Sequence, residues 1–156
     1  MALIALIPVC CSPKPAAHPD DAAIRANSLK YIKAAVRLCE ATGSRTLVGP
    51  MYSAVGKRRH VSPGQKKKEW ARAVSGLQKA GQFSADHGVQ LAVEPLNRFE
   101  TDLINTCAQC SRLVQDINLR NVGIHLDTFH MNIEEKSLCD AIQRAGNKLL
   151  HLHVCE

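Results

Sequence analysis

Five short apolar runs punctuate the chain, at residues 2–10, 45–49, 89–94, 121–127 and 149–154. Runs of that length, bounded by turn residues, predict buried strands. Helical patterns fill the gaps between them. From 20 to 42, Ile24, Tyr31, Ala35, Leu38 and Cys39 form a stripe at helical spacing, and Gly43 supplies the stop. Ser62-Pro63-Gly64-Gln65 reads as a helix start, with Ser as N-cap, Pro at N1 and Gln at N3. That helix runs to His87, stops at Gly88 and is expected to bury Trp70, Val74 and Leu77. Thr106-x-x-Gln109 caps the next helix, which places Cys110, Leu113, Val114 and Ile117 on one face. Ser137-x-x-Asp140 starts a short helix ending near Gly146.

Strands alternating with helices predict an α/β fold with a parallel sheet. Nothing in the sequence marks a domain boundary, so residues 1–156 read as a single domain. Two architectures accommodate the pattern. One is an open five-stranded, doubly wound sheet. The other is part of a (β/α)₈ barrel, with about five parallel strands and outer helices.

Chemistry is concentrated at the strand ends. Glu94, Asp127, His130 and His153 each sit at or just past the end of an apolar run, in LAVEPLNRFE, GIHLDTFHMN and LLHLHVCE. In a barrel these ends converge on one mouth, where catalysis sits. Carboxylates and imidazoles together suit a divalent metal. Arg98 close by could instead give Glu94 an ordinary salt bridge. His125 and His151 are expected to be structural histidines, on the face opposite Asp127 and His153.

Composition narrows the partners. Hydrophobic residues make up 46% and charged residues 22%, as in ordinary globular protein. The formal charge of +6 comes largely from Lys57-Arg58-Arg59 and Lys66-Lys67-Lys68. No aromatic residues interleave with these runs for base stacking, so they read as a solvated loop and helix face, not a nucleic-acid patch. The apolar start is too short to span a bilayer and lacks a basic leader, so no membrane partner is expected. Seven cysteines without a regular framework fit a reducing, cytoplasmic compartment. Cys107-x-x-Cys110 has no second CxxC and falls within a helix, against a zinc site.

Two ordered blocks carry a resemblance. Glu94-Pro95-Leu96-Asn97-Arg98-Phe99-Glu100-Thr101-Asp102 and the stretch His125–Glu135, with GPMYSAVGK and HLHVCE in step, resemble the sugar isomerase/epimerase family with a xylose-isomerase-like barrel. Within it the chain is most similar to the ketose 3-epimerases acting on D-tagatose and D-psicose. The resemblance favours the partial barrel over the open sheet. It implies that Glu94 binds the metal and exchanges the substrate proton, that Asp127 and His153 are further ligands, and that Glu100 and His130 hold the sugar. It also implies a fourth ligand that doubles as a second base, and an arginine after the HxxE, which these residues do not include. The five strands then correspond to the third through seventh of a full barrel, and the chain looks like a fragment.

The implied chemistry is consistent with these residue types. Epimerisation at C3 removes a proton beside a carbonyl and leaves an enediolate, whose charge a chelating cation stabilises. Oxygen donors with one imidazole suit Mn²⁺, with Mg²⁺ or Co²⁺ as alternatives. Inversion requires a base on one face of the carbon and an acid on the other. Other expectations are hydroxypyruvate isomerisation, an apurinic-site endonuclease, or an inactive truncated chain. A homo-oligomer in which a second copy completes the site is a further one.

Overall fold

The computed structural model describes residues 2–4 and 22–155. The strands are β1 (Ala2–Ile4), β2 (Thr46–Gly49), β3 (Gln90–Val93), β4 (Val122–Asp127) and β5 (Leu149–His153). They form one sheet in chain order, every neighbouring pair parallel. The helices are α1 (Ala22–Thr42), α2 (Pro63–Asp86), α3 (Cys107–Ile117), α4 (Thr128–Glu134) and α5 (Leu138–Ala145). Sequential parallel strands joined by right-handed crossovers put their helices on one face. Accordingly α1 packs on α2, α2 on α3 and α3 on α5. A doubly wound sheet would reverse its strand order. The chain is therefore part of a TIM barrel. The rest of the first predicted strand and the Pro-rich stretch after it lie outside the described residues.

Alternation along the strands divides the sheet into two faces. Leu47, Leu91, Val93, Val122, Ile124 and Leu126 face the helices and share one core with Leu77, Leu113, Val114 and Ile117. The predicted caps form. Ser62 Oγ accepts the Gln65 N–H, and Thr106 with Gln109 makes a reciprocal capping box. Gly43 and Gly88 follow their helices at φ of 71° and 65°, the left-handed conformation that favours glycine.

Three local expectations change. In α1 the buried stripe is Ile32, Val36 and Cys39, while Tyr31 and Leu38 are about half exposed. Cys39 is buried as expected, whereas the large apolar Tyr31 and Leu38 turn outward and their neighbours Ile32 and Cys39 take the covered positions. In α2, Leu77 is buried as expected, but Trp70 and Val74 are only half-buried, and Ala73, Ala80 and Gly81 take the close contacts. Helix α4 was not anticipated. It begins immediately after β4, with Asp127 as its N-cap. As for the CxxC pair, Cys107 Sγ donates to the Ala141 carbonyl and Cys110 Sγ to that of Val93. Burial pushes both thiols up, as expected for packing groups.

The basic runs are partly drawn inward. Lys57 pairs with Glu69 at 2.9 Å and also with Asp102, and Arg59 Nη2 lies 2.7 Å from Glu69 Oε1. Glu69 ties the β2–α2 loop to α2, Asp102 laces it to the β3–α3 loop, and Lys57 forms a β-bridge with Thr101. Among the described residues, no helix is long and apolar enough to cross a membrane.

One irregularity sets the register beside the mouth. Ile124 pairs with Leu149, but the next pair is His125 with His151, so Leu150 is an extra residue in β5. A bulge of this kind turns the following side chains to the other face. Gly123 makes room for it: a Cβ there would meet the Lys148 carbonyl oxygen at 2.5 Å and Leu150 Cγ at 2.6 Å. Gly76, on an exposed face of α2, has nothing within 4 Å of such a Cβ. Chemical denaturation should separate the two glycines. Gly76→Ala is expected to stabilise by about 1 kcal/mol through helix propensity. Gly123→Ala is expected to destabilise by about 1–3 kcal/mol through overpacking. A stable Gly123→Ala protein would mean that the bulge is dispensable.

Candidate active site

Each candidate residue is placed by a strand end or by the turn after it. Glu94 follows β3, and its N–H donates to the Gly49 carbonyl at 3.2 Å, extending the ladder. Its side chain is 13% exposed. Asp127 ends β4 and is buried. Its Oδ1 accepts the Phe129 N–H at 2.8 Å, as the cap of α4. Its Oδ2 lies 3.0 Å from His153 Nδ1, across the β4–β5 pair. His130 sits in the first turn of α4, with Nε2 3.8 Å from Glu94 Oε1.

These residues fall into two overlapping groups among the described residues. Donor atoms of Glu94, Asp127 and His130 lie within 4.8 Å of one another, and so do those of Asp127, His153 and Cys155. Asp127 is common to both. Glu94 and His153 do not share one group, so the expected trio meets only through Asp127. Glu100 stands apart, in the loop after β3, where its Oε1 accepts from Asn97 Nδ2 at 3.2 Å.

His125 and His151 were expected on the opposite face; the structure corrects this. Residues two apart on a strand share a face, so His125 accompanies Asp127 and His151 accompanies His153. His125 Nε2 lies 3.4 Å from Glu94 Oε1. His125 Nδ1 faces His151 Nδ1 at 3.0 Å, and the two rings are 4.8 Å apart. Burial, then the charges of His125 and His153, push the His151 imidazole below its ordinary range, against an opposing pull from Glu94. For His151 this favours the neutral imidazole, the form that ligates metals.

Asn97 is a residue that sequence reading missed. Its Oδ1 accepts the Phe99 N–H at 2.9 Å, which fixes the amide orientation. Its Nδ2 then donates to His130 Nδ1 at 2.9 Å, and its backbone N–H donates to the same atom at 3.2 Å. Two donors require Nδ1 to be the acceptor, so the neutral ring carries its proton on Nε2, the atom turned toward Glu94. Arg98, the suggested salt-bridge partner for Glu94, instead grips Glu134 with two contacts of 2.9 Å. Hydrogen bonding from Arg98 holds the Glu134 carboxyl below its usual range.

The donor chemistry fits a divalent cation. Two nearly buried carboxylates converge, and among the described residues their ion-pair partners are histidines rather than lysine or arginine. Their charge is left for a cation to neutralise, and oxygen with imidazole suits Mn²⁺-type ions.

Residues 3–156 match the family described as "Xylose isomerase-like TIM barrel". The chain belongs to that family. It is 37% identical over 137 residues to the D-psicose 3-epimerase of Agrobacterium fabrum, covering 88% of this chain and 47% of that protein. It is 34% identical to the L-ribulose 3-epimerase of a Methylomonas species, covering 87% and 46%. A crystal structure of D-psicose 3-epimerase from Clostridium cellulolyticum H10, solved with D-tagatose, superposes with a TM-score of 0.81 at 34% identity. That match covers 88% of this chain and 47% of the other. The chain thus spans about half the length of the relatives it matches.

In this xylose isomerase-like barrel, Asn97 sets the tautomer of His130. Nitrogen-15 NMR of the His130 ring is expected to show the Nε2–H form in the unaltered protein. Asn97→Asp places a carboxylate against Nδ1 and should move the proton to Nδ1. Asn97→Leu should cost about 1–3 kcal/mol, because it strips partners from buried polar groups. An unchanged ring spectrum in both variants would remove Asn97 from this role.

Proposed function

We propose that this chain carries one side of a ketose 3-epimerase site. Glu94, Asp127 and His153 hold a divalent cation, Mn²⁺ in preference to Mg²⁺ or Co²⁺. Glu94 also exchanges the C3 proton of a free ketohexose, while Glu100 and His130 bind its oxygens. The observation that carries this reading is the convergence of two nearly buried carboxylates and several imidazoles on one mouth. It occurs in a chain whose relatives are named ketose 3-epimerases.

When bound, the cation supplies Lewis-acid stabilisation of the charge that develops on the sugar oxygens. The protein's own groups do the rest. The Glu94 carboxylate lies in a largely dry setting beside His125 and His130, and it takes the proton from carbon. His130 directs Nε2–H into the site, and its 3.8 Å separation from Glu94 is too long for a direct hydrogen bond. A sugar oxygen between the two would accept from His130. The cap bond to Phe129 holds Asp127 in one rotamer, leaving Oδ2 to face the centre. Glu100, on the same loop as Asn97, is an acceptor for a sugar hydroxyl. Inversion also needs an acid–base group on the other side of the carbon; Glu94 serves one side.

Incubation with Mn²⁺ and D-fructose in D₂O tests the base directly. Deuterium is expected at C3, and Glu94→Gln should slow its entry by about 10²–10⁴-fold. Equal exchange by both proteins would remove Glu94 as the base. Mn²⁺ titration followed by electron paramagnetic resonance tests the ligands independently of turnover. Asp127→Asn is expected to weaken binding clearly; identical isotherms would show that Asp127 is not a ligand.

A further inference from the structure

We propose that Cys155 is a metal ligand, and that with Asp127 and His153 it forms a thiolate-bearing donor set selecting Zn²⁺ or Co²⁺ over Mn²⁺. The inference rests on the reading of Asp127 and His153 as ligands and adds a third donor of different chemistry. Cys155 lies two residues past His153 and is exposed, yet its backbone is held in place. Its N–H donates to Thr128 Oγ1 at 2.8 Å, and the Thr128 hydroxyl donates to its carbonyl at 3.2 Å. Thr128 directly follows Asp127, so this clamp ties the cysteine to the end of the strand that bears the carboxylate.

The distances suit one ion. Cys155 Sγ lies 3.8 Å from His153 Nδ1 and 3.7 Å from Nε2, and Nδ1 is 3.0 Å from Asp127 Oδ2. All three donors lie within 4.8 Å of one another. Around a tetrahedral zinc with bonds of about 2.0–2.3 Å, donor atoms sit roughly 3.3–3.8 Å apart. Small side-chain rotations therefore close the set, and its exposed side leaves a fourth position to water. The neighbouring group of Glu94, Asp127 and His130 offers only oxygen and imidazole. A thiolate shifts preference toward zinc and cobalt, and oxygen donors toward magnesium and manganese. Asp127 belongs to both groups, and His153 is also a ligand of the proposed Mn²⁺ site. Zinc seated against Cys155 therefore competes with Mn²⁺ for the same carboxylate and imidazole.

Titration with Co²⁺ reads the sulfur bond directly. The unaltered protein is expected to develop a sulfur-to-cobalt charge-transfer absorption in the near ultraviolet. Cys155→Ser should lose it, while Cys139→Ser, which removes another exposed thiol, should keep it. Calorimetry should show Zn²⁺ binding weakened by at least roughly 10- to 100-fold in Cys155→Ser, since losing a group that merely supports a ligand already costs that much. Mn²⁺ affinity should be unchanged by that substitution. Cobalt binding without the absorption, or an absorption that survives Cys155→Ser, would overturn the proposal. If Mn²⁺ binding still depends on Asp127 in that case, the epimerase-type metal site stands without the cysteine. If Asp127→Asn and His153→Ala leave every metal isotherm unchanged, the underlying ligand assignment falls, and the proposal with it.

Discussion

The extra residue Leu150 in β5 is the constraint on which the candidate site depends. Up to Ile124 and Leu149 the pairing of β4 and β5 is regular, and after it the register has moved by one. Had the ladder continued without the bulge, His151 would lie opposite Leu126 and face the helices. His153 would then pass beyond the end of β4. A side-chain period of two makes that slip an inversion of the whole strand. With the bulge, His151 and His153 stand opposite His125 and Asp127 on the inner face. Gly123 permits this, since any side chain there would occupy the space of the bulged segment.

Around this register, the loops of the mouth are held by polar contacts that touch no candidate ligand directly. Tyr52, from the loop after β2, donates its hydroxyl hydrogen to the Ile104 carbonyl and accepts the Leu96 N–H. Lys57 and the Arg59 N–H both engage Asp102. Burial pushes the Asp102 carboxyl up, but these partners outweigh it and hold the carboxyl below its usual range. The bidentate Arg98–Glu134 pair links the loop after β3 to the end of α4, the arrangement that fixes orientation as well as charge. Asn97, the residue before Arg98, aims His130. Strand ends carry the candidate ligands here, and these contacts hold the loops that surround them.

Much of the positive charge that could suggest a nucleic-acid partner is spent on this lacing. Lys57, Arg59 and Lys66 turn toward Glu69 and Asp102. A count of basic residues cannot distinguish a displayed run from one folded onto carboxylates, because the pairing depends on how the loop and helix pack, and Asp102 comes from a segment more than 30 residues away.

The sequence by itself determined the order of strands and helices, the caps at Ser62, Thr106 and Ser137, and the positions of Glu94, Asp127 and His153 at strand ends. These depend on local periodicity and on hydrogen bonds spanning a few residues, which a linear pattern encodes. Helix α4 escaped because it is short and begins at a residue already read as a ligand. The phase of α1 escaped because only packing decides which apolar side chains are covered. That His125 shares a face with Asp127, and His151 with His153, follows from alternation along a strand; only the tertiary structure decided that the two pairs stand opposite one another, that Asn97 fixes the tautomer of His130, and that Thr128 holds Cys155 near Asp127. Those facts follow from a one-residue register shift between β4 and β5 and from contacts across 20 to 30 residues of chain or more. No local pattern specifies such contacts, because they exist only once the strands are side by side.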